Sequence, residues 1–374
     1  MLFSGIYGQQ IVKDKLLCFF KNKNVPPALV FNGPQGCGKF PLAIAFARIL
    51  LCKNVGDIDA CGECSSCLKV DKLTHPDLHV IYPLFENDRI GENTESTDLA
   101  NHFRTLYAQN AHMEYEDWLE YIRPVSKSGI ISRGQCANLI TKIYMSSYEG
   151  GYKIVVFWVA DLLGDSANLF LKILEDPPPK TLFIFLSKSL EKILSTVLSR
   201  CILIPVPPFT DEDISEWYKR ENLLSENHEN FVRFSMGNIY LAGLCLKSHE
   251  VNHTNIFISF IRISYKNSTS ELVQWLDEII KYNRGVILLL LDYSMKVIRN
   301  IFLSNMGFTA YNSLSEEELE FSNKFSKYVS DTSFRKYIEA FSLASKQIQS
   351  NANIKIVFHC LFFKLHKIIS DINH

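Results

Sequence analysis

Two groups of residues in this sequence have the types and spacing to do chemistry. The first is Gly33-Pro34-Gln35-Gly36-Cys37-Gly38-Lys39-Phe40, which has the spacing of a phosphate-binding loop. Glycines there let backbone N–H groups curl around phosphate oxygens, and the lysine reaches the outer phosphates. Gly33, Gly36, Gly38 and Lys39 are in place. The next position should carry a hydroxyl that ligates magnesium, but it is Phe40, which has no side-chain oxygen. A strand ending in an acidic pair should complete the magnesium site. The matching strand is Ile154-Val155-Val156-Phe157-Trp158-Val159-Ala160-Asp161. If Asp161 is the acid that follows two residues after the pair, Trp158 and Val159 stand at the acidic positions. Asp161 is then expected to start the next turn or cap a helix. Two losses in one chemistry argue against hydrolysis. The expectation is no ATP turnover, with nucleotide bound weakly or not at all. The bland alternative makes Lys39 a remnant whose charge is solvated.

The second group is Cys52, Cys61, Cys64 and Cys67, spaced C-x8-C-x2-C-x2-C. Four thiolates suit a closed tetrahedral zinc site with no open position for water, hence a structural Zn2+ and not a catalytic one. Cys52 falls at the end of the helix that the phosphate loop opens, so the metal would staple an excursion to that helix. The alternative is incidental thiols of a reducing cytosol, where clustered cysteines bind metal more often than they form disulfides. Cys18 and Cys245 lie in apolar stretches and are expected in the core. A zinc-containing nucleic-acid binder would need a basic face or stacking aromatics beside the cysteines. In GDIDACGECSSCLKVDK acids outnumber lysines and no aromatic appears.

Alternating strands and helices must hold these groups. Ala28-Leu29-Val30-Phe31 is an apolar run before the Gly-rich turn, and a helix follows from Lys39 to about Cys52. Further buried-strand runs are Ile154 to Val159, Leu182 to Leu186 and Cys201 to Ile204, with another strand near Leu78 to Ile81. In DSANLFLKILEDPPP, Leu169, Phe170, Ile173 and Leu174 share one helical face, Asp165 or Ser166 can cap the start, and Pro177 ends it. Strand, helix, strand at these spacings reads as a parallel sheet covered by helices. The segment from about His75 to Arg133 fits poorly; past the strand it reads as an insertion at about 82–131, polar around ENDRIGENTEST, with helix near Trp118. Pro205, Pro207 and Pro208 mark a break, and Thr210 with Asp213 resembles a capping box opening a small helical unit. The rest looks helical. Ile354, Val357, Phe358, Leu361, Phe362, Leu365, Ile368 and Ile369 repeat at helical spacing near the end.

Bulk numbers bound the function. At 374 residues, two or three domains are expected. A hydrophobic share of 47% against 21% charged gives sizeable cores and not a disordered chain. The net charge of -1 leaves no overall field for nucleic acid or an anionic membrane. Lys13, Lys15, Lys21 and Lys23 read as solvated charges on and after a helix. The opening residues lack the basic start and apolar stretch of an export signal. The aliphatic run Val286 to Leu291 is far shorter than the ~18 residues of a membrane span. The expected location is the cytoplasm.

Taken in order, Gly8-Gln9, GPQGCGK, the cysteine cluster, NLFLKILEDPP and ILSTVLSRC resemble the delta-prime family of bacterial DNA polymerase III clamp-loader subunits. The resemblance is close over the first two domains and weaker at QIQSNANIKIVFHCLFFKL. It implies an α/β RecA-like AAA+ domain with a parallel sheet, then a small helical lid and an all-α C-terminal collar that holds subunits in a hetero-oligomeric ring. The expected bounds are 1–208 for the first, with a zinc-binding module at 52–67 and the insertion at about 82–131. The lid is expected at 209–248 and the collar at 249–374. The resemblance implies a non-hydrolysing subunit, in agreement with Phe40, Trp158 and Val159, that helps load the sliding clamp on DNA. The implied partners are the gamma/tau ATPase subunits, the delta subunit, the sliding clamp and, through the complex, primer-template DNA. It also implies a role for Arg200. Ser199-Arg200-Cys201 stands where the family places an interfacial arginine, a finger donated in trans to a neighbour's ATP; the bland alternative is a salt bridge. The sensor arginine usual in the lid is missing from Ser235–Ala242. An active gamma/tau-like ATPase is the alternative, and it would need magnesium ligands elsewhere.

Overall fold

The computed structural model describes residues 2–84, 99–122, 129–221, 232, 235–247, 253–282, 284–308, 316–350 and 352–373. Of the expected insertion, 85–98 and 123–128 lie outside the described residues. So do 222–231, 233–234 and 248 of the expected lid, and the side chain of Cys245.

Short runs rich in branched and aromatic residues form strands β1 (Ala28–Asn32), β2 (Leu78–Ile81), β3 (Lys153–Phe157), β4 (Thr181–Ser187) and β5 (Ile202–Pro205). All pair in parallel, in the order β2-β3-β4-β1-β5. A parallel sheet is covered on both faces, so its central strands read as continuous apolar runs. The pleat then sorts their side chains. Leu29, Phe31, Ile154, Val156, Leu182 and Ile184 join one core, while Val30, Val155, Phe157, Phe183 and Phe185 join the other. The first core is covered by helices α1 (Gln10–Lys21) and α2 (Lys39–Leu51), by α3 (Ser65–Asp71), and by α4 (Ala100–Gln109) and α5 (Tyr115–Ile122) of the insertion. The second lies under α6 (Arg133–Tyr144), whose Ser132 and Gln135 form a capping box. Every residue of α2 is buried.

The helix expected after Asp165 is broken up. Gly164–Phe170 is a 3-10 stretch without a side-chain cap, and only Leu171–Glu175 is α-helical, as α7. Apolar residues three and four apart satisfy either winding, which is why periodicity alone read one helix. Helix α8 (Ser195–Leu198) leads into β5, and α9 (Asp211–Arg220) opens on the expected Thr210–Asp213 capping box. Helix α10 (Ile239–Lys247) follows. Two expectations are corrected. Cys18 is exposed and not in the core, because α1 turns it away from the sheet. Lys13 is buried and not solvated, and its ammonium donates to the Ile6 carbonyl.

The chain divides into two compact units, Met1–Ala242 and Gly243–His374. The regular elements of the second among the described residues are helices, with α11 (His253–Lys266), α12 (Thr269–Ile279), α13 (Arg284–Asn305), α14 (Glu316–Phe325), α15 (Asp331–Gln349) and α16 (Ile354–Asn373). Its centre includes Phe260 stacked on Trp275 at 4.6 Å, with Phe358 against both at 5.6 and 5.2 Å. The apolar stripe of α16 is buried from Val357 to Ile369 as its spacing predicts. No helix among the described residues is long and apolar enough to cross a membrane.

Candidate functional site

The phosphate loop joins the C-terminal end of β1 to the N-terminus of α2, where a parallel sheet opens its ligand crevice. Gly36 and Gly38 take left-handed backbone conformations with φ of 67° and 83°. Both are also places of close approach. A Cβ on Gly36 would lie 1.6 Å from Asn238 Oδ1, and one on Gly38 would lie 2.9 Å from the Phe209 ring. The loop is therefore pressed by the segment around Phe209 and Asn238. The Ile239 amide donates to the Gly36 carbonyl at 3.1 Å, and Gln9 Nε2 donates to the Cys37 carbonyl at 3.1 Å. Lys39 does not reach outward: its ammonium donates to the Gly33 carbonyl at 2.8 Å and to that of Pro34.

The residues at the two expected magnesium positions meet. Phe40 and Trp158 have ring centroids 6.0 Å apart. Helix α4 adds Phe103, 6.1 Å from Phe40 and 5.1 Å from Trp158, and Tyr107, 5.3 Å from Phe40. Tyr82 stacks on Phe103 at 4.1 Å, and Trp118 of α5 lies edge-on at 5.4 Å. Edge-to-face pairs of this kind add about 0.5–1.5 kcal/mol each beyond burial. Neither Phe40 nor Trp158 carries a side-chain oxygen that could ligate a divalent cation. Asp161 lines the cavity beside the loop, and its carboxylate is engaged by the protein. It accepts from Ser187 Oγ and the Ser189 amide at 3.1 Å each, and from the Lys188 amide at 3.1 Å. It stands in the 3-10 turn Ala160–Leu162 after β3, the first of the two places expected from sequence, and its side chain fastens the turn after β4 without capping a helix.

Above the loop stands the start of α5. Glu114 accepts the Gly36 amide proton at 2.7 Å, and Glu116 accepts from Gln35 Nε2 at 2.7 Å. The Lys188 ammonium lies 3.5 Å from Glu114 and 3.7 Å from Glu116. Asp117 accepts from the Tyr240 hydroxyl at 2.9 Å. The space left, lined by Gly36, Lys39, Phe40, His112, Trp158 and Lys188 among others, is about 30 Å³. Small-molecule pockets run to roughly 300–1,000 Å³.

At the other end of α2 the four cysteines come together. Their sulfurs all lie within 4.8 Å of one another, with Cys52–Cys61 at 3.5 Å, Cys52–Cys64 at 4.0 Å and Cys61–Cys67 at 3.9 Å. A tetrahedron with bonds of about 2.3 Å has edges of about 3.8 Å, so the set fits zinc. Amides of Cys61, Cys64 and Cys67 donate to the sulfurs of Cys52, Cys61 and Cys64 at 3.4, 3.4 and 3.5 Å. Such bonds stabilise sulfur in the charged form a metal needs. Burial opposes ionisation of Cys64, but the Lys53 and Cys67 amides and neighbouring thiols draw it down to about 6. Burial pushes Cys67 up to about 12. The module is bolted to its surroundings. Arg48, buried on α2, donates to Asp71 at 2.9 Å and to the Gly62 carbonyl at 3.0 Å. Glu149 gathers Ser66 at 2.9 Å, Lys69 at 2.7 Å and Lys53 at 2.9 Å. Its own amide is held by Asp77 at 3.0 Å.

Arg200 sits between α8 and β5. Its guanidinium pairs with Glu175 of the LEDPP stretch, with Nε at 3.1 Å, and donates to the Thr196 carbonyl at 2.7 Å. The side chain is 32% exposed, and none of these partners belongs to the chain's own phosphate loop. The structure thus gathers Gly33, Gly36, Gly38 and Lys39 into one loop and the four cysteines into one cluster, with Arg200 outside both. Sequence reasoning missed Phe103, Tyr107, Glu114 and Glu116. The helical spacing of Phe103, Leu106 and Tyr107 could have flagged an apolar face; nothing local marks the two glutamates.

A family model described as DNA polymerase III, delta subunit, matches residues 8–210. DNA polymerase III subunit delta' of Escherichia coli strain K12 is 27% identical over 217 residues, 57% of this chain and 52% of that protein. The Bacillus subtilis subunit delta' is 24% identical over 189 residues, 50% of this chain and 44% of that protein. The chain thus spans about half the length of the bacterial relatives it matches. Protein STICHEL of Arabidopsis thaliana is 27% identical over 216 residues, 57% of this chain and 14% of that protein. A crystal structure of a gamma subunit-related DNA polymerase III protein from Thermotoga maritima covers 96% of this chain and 99% of its own, at 11% identity. Its TM-score is 0.39.

Proposed function

We propose, from the premise that the chain belongs to the DNA polymerase III delta subunit family, that it is a delta-prime-like clamp-loader subunit that does not hydrolyse ATP. One observation carries this reading: Phe40 and Trp158, at the positions of the magnesium ligands, pack on each other and on Phe103 and Tyr107. Restoring a metal site there would require dismantling a buried aromatic cluster. With Lys39 turned onto its own loop carbonyls, the isolated chain is expected to bind ATP weakly or not at all.

The proposed contribution to catalysis lies elsewhere. In phosphoryl transfer, charge gathers on the outer phosphate oxygens, and a planar guanidinium supplied in trans can speed hydrolysis by roughly 10³–10⁵-fold. Arg200 is the residue proposed to be donated to a neighbouring ATPase subunit. Its exchange of Glu175 for a neighbour's phosphate would make hydrolysis depend on assembly. Cys52, Cys61, Cys64 and Cys67 would hold a structural zinc, whose chemistry is to fix the module and nothing more. The proposed division is an AAA+ domain over 1–208, a lid over 209–248 and an oligomerisation collar over 249–374. Proposed partners are the gamma/tau ATPase subunits, the delta subunit, the sliding clamp and primer-template DNA through the complex, in the cytoplasm.

The test is reconstitution with the ATPase subunits of the same replicase. The isolated chain should turn over no ATP. The complex should hydrolyse ATP and load the clamp, and Arg200→Ala should lower both while assembly persists. Turnover by the chain alone that disappears in Lys39→Ala would overturn the non-hydrolysing part. Unchanged turnover and loading in an intact Arg200→Ala complex would remove the finger.

A further inference from the structure

We infer that Glu114 is an internal occupant of the phosphate loop, a carboxylate of the chain held where an anionic ligand's oxygen would accept the loop amide. The inference rests on the non-hydrolysing reading and deepens it by naming what keeps the loop shut.

A loop that has only lost its magnesium ligands still offers N–H groups at a helix N-terminus, which favours anions without help from side chains. In this chain that capacity is already used. Gly36 N–H donates to Glu114 Oε1 at 2.7 Å, while Glu114 Oε2 lies 3.5 Å from the Lys188 ammonium. One carboxylate therefore bridges a loop amide and a cation across the crevice. Charge-assisted bonds of this type are among the stronger hydrogen bonds. The bridge is fixed from behind. Glu116 holds Gln35 of the loop, Asp117 holds Tyr240, and the Asp117 carboxylate also accepts the Glu114 amide at 2.9 Å. A second observation marks the same place as a former ligand space. His112 lines the residual cavity with its Nδ1 buried and no hydrogen-bond partner among the described residues. An orphaned polar atom beside a cavity of about 30 Å³ suits a site made for polar contents and then mostly filled.

The two closing devices differ in kind. The Phe40–Phe103–Tyr107–Trp158 rings remove the metal, and Glu114 removes the anion. Loosening the second without the first should expose an anion site that has no use for magnesium.

The experiment uses the full chain, with sodium tripolyphosphate as probe, titrated calorimetrically in EDTA and again with magnesium. Wild type should give no saturable heat. Glu114→Ala should bind tripolyphosphate at least about 10-fold more tightly than wild type, equally with and without magnesium. Glu114→Gln should stay close to wild type, since its carboxamide oxygen can still accept from Gly36. A folded Glu114→Ala protein that binds no better than wild type overturns the inference. So does wild type binding as tightly as the variant. Should Glu114→Ala fail to fold, hydrogen exchange of wild type decides alone: a protected Gly36 amide upholds the contact, and a freely exchanging one overturns it. Clamp-loader reconstitution, the test of the functional reading, can fail with Gly36 still protected, and a silent Glu114→Ala leaves that reading standing.

Discussion

One helix carries both ends of the comparison that matters here. At the N-terminus of α2, the phosphate loop keeps its glycines and lysine, with the Gly36 amide paired to Glu114 and the Lys39 ammonium to carbonyls of its own loop. At its C-terminus, four thiols keep the spacing, the sulfur separations and the amide donors of a metal site. Backbone N–H groups serve at both ends, turned to a glutamate of the same chain at one and to cysteine sulfur at the other. The difference teaches that the same backbone donors are satisfied by whatever the neighbouring side chains supply. Buried N–H groups must be paired, with a ligand or with the chain itself.

Breaking the thiol end should have the largest effect on the isolated chain. Stripping metal with a strong chelator, or Cys61→Ser, should destabilise the first unit by several kcal/mol, about 10 °C or more in melting temperature. Metal content should fall from about one zinc per chain to none in the variant. Since the thiols must lose protons to bind and burial holds Cys67 up at about 12, zinc affinity should drop as pH falls from 8 to 6. Competition with a chromophoric chelator reads this directly. Unchanged melting after complete metal removal would mean that the cluster staples nothing.

Phe40→Ala tests the other end. It removes a buried ring from the middle of its aromatic cluster, and large-to-small changes at such sites cost about 3–5 kcal/mol. Urea denaturation should show that loss, and ATP turnover should remain absent because no magnesium ligand is gained. A Phe40→Ala chain as stable as wild type would say that the cluster is loosely packed and the loop nearer to use than its geometry implies.

Glu149→Gln should cost less. The Glu149 carboxylate is held down at about 2, chiefly by Lys69, then by Lys53 and Ser66. Its folded value is depressed, so its contribution is complete above the ordinary value near 4.5 and is lost as pH falls through about 2. The pairs are at the surface, which limits the loss to about 1 kcal/mol or less. The gap between wild type and Glu149→Gln in urea should be widest above pH 5 and should narrow below 4.5. A gap that widens toward acid would put the effect on some other group.

Legibility follows the same divide. The thiol cluster was readable because its ligands lie within a short stretch of chain and their spacing is the signal. Strands β1, β3 and β4 were readable because burial on both faces leaves uniform apolar runs, and the Thr210–Asp213 cap because its two partners are three residues apart. Phe40 and Trp158 could be singled out from sequence, yet what they touch could not. Phe103 arrives from more than sixty residues away, and Glu114 meets Gly36 across 78 residues. Contacts of that range have no local period. The break in the helix after Asp165 was hidden for another reason: Leu169, Phe170, Ile173 and Leu174 keep one buried face in 3-10 or α winding alike.

Arg200 should matter least to the chain itself, and that contrast is its test. Its pairing with Glu175 is partly exposed, and such ion pairs contribute about 0–1 kcal/mol. Arg200→Ala should therefore shift melting of the isolated protein by no more than a few degrees. In a reconstituted complex the same change should reduce ATP turnover at the adjoining site by at least about 10²-fold if the arginine stabilises the transferring phosphoryl group. Arg200→Lys separates geometry from charge. A lysine keeps the charge but lacks the planar fork, so it should restore the ion pair with Glu175 without restoring turnover. Full rescue by lysine would mean that only a positive charge is required at that edge. A large melting loss in Arg200→Ala would instead assign the residue to holding α8 against the LEDPP stretch, and the chemistry would have to come from elsewhere.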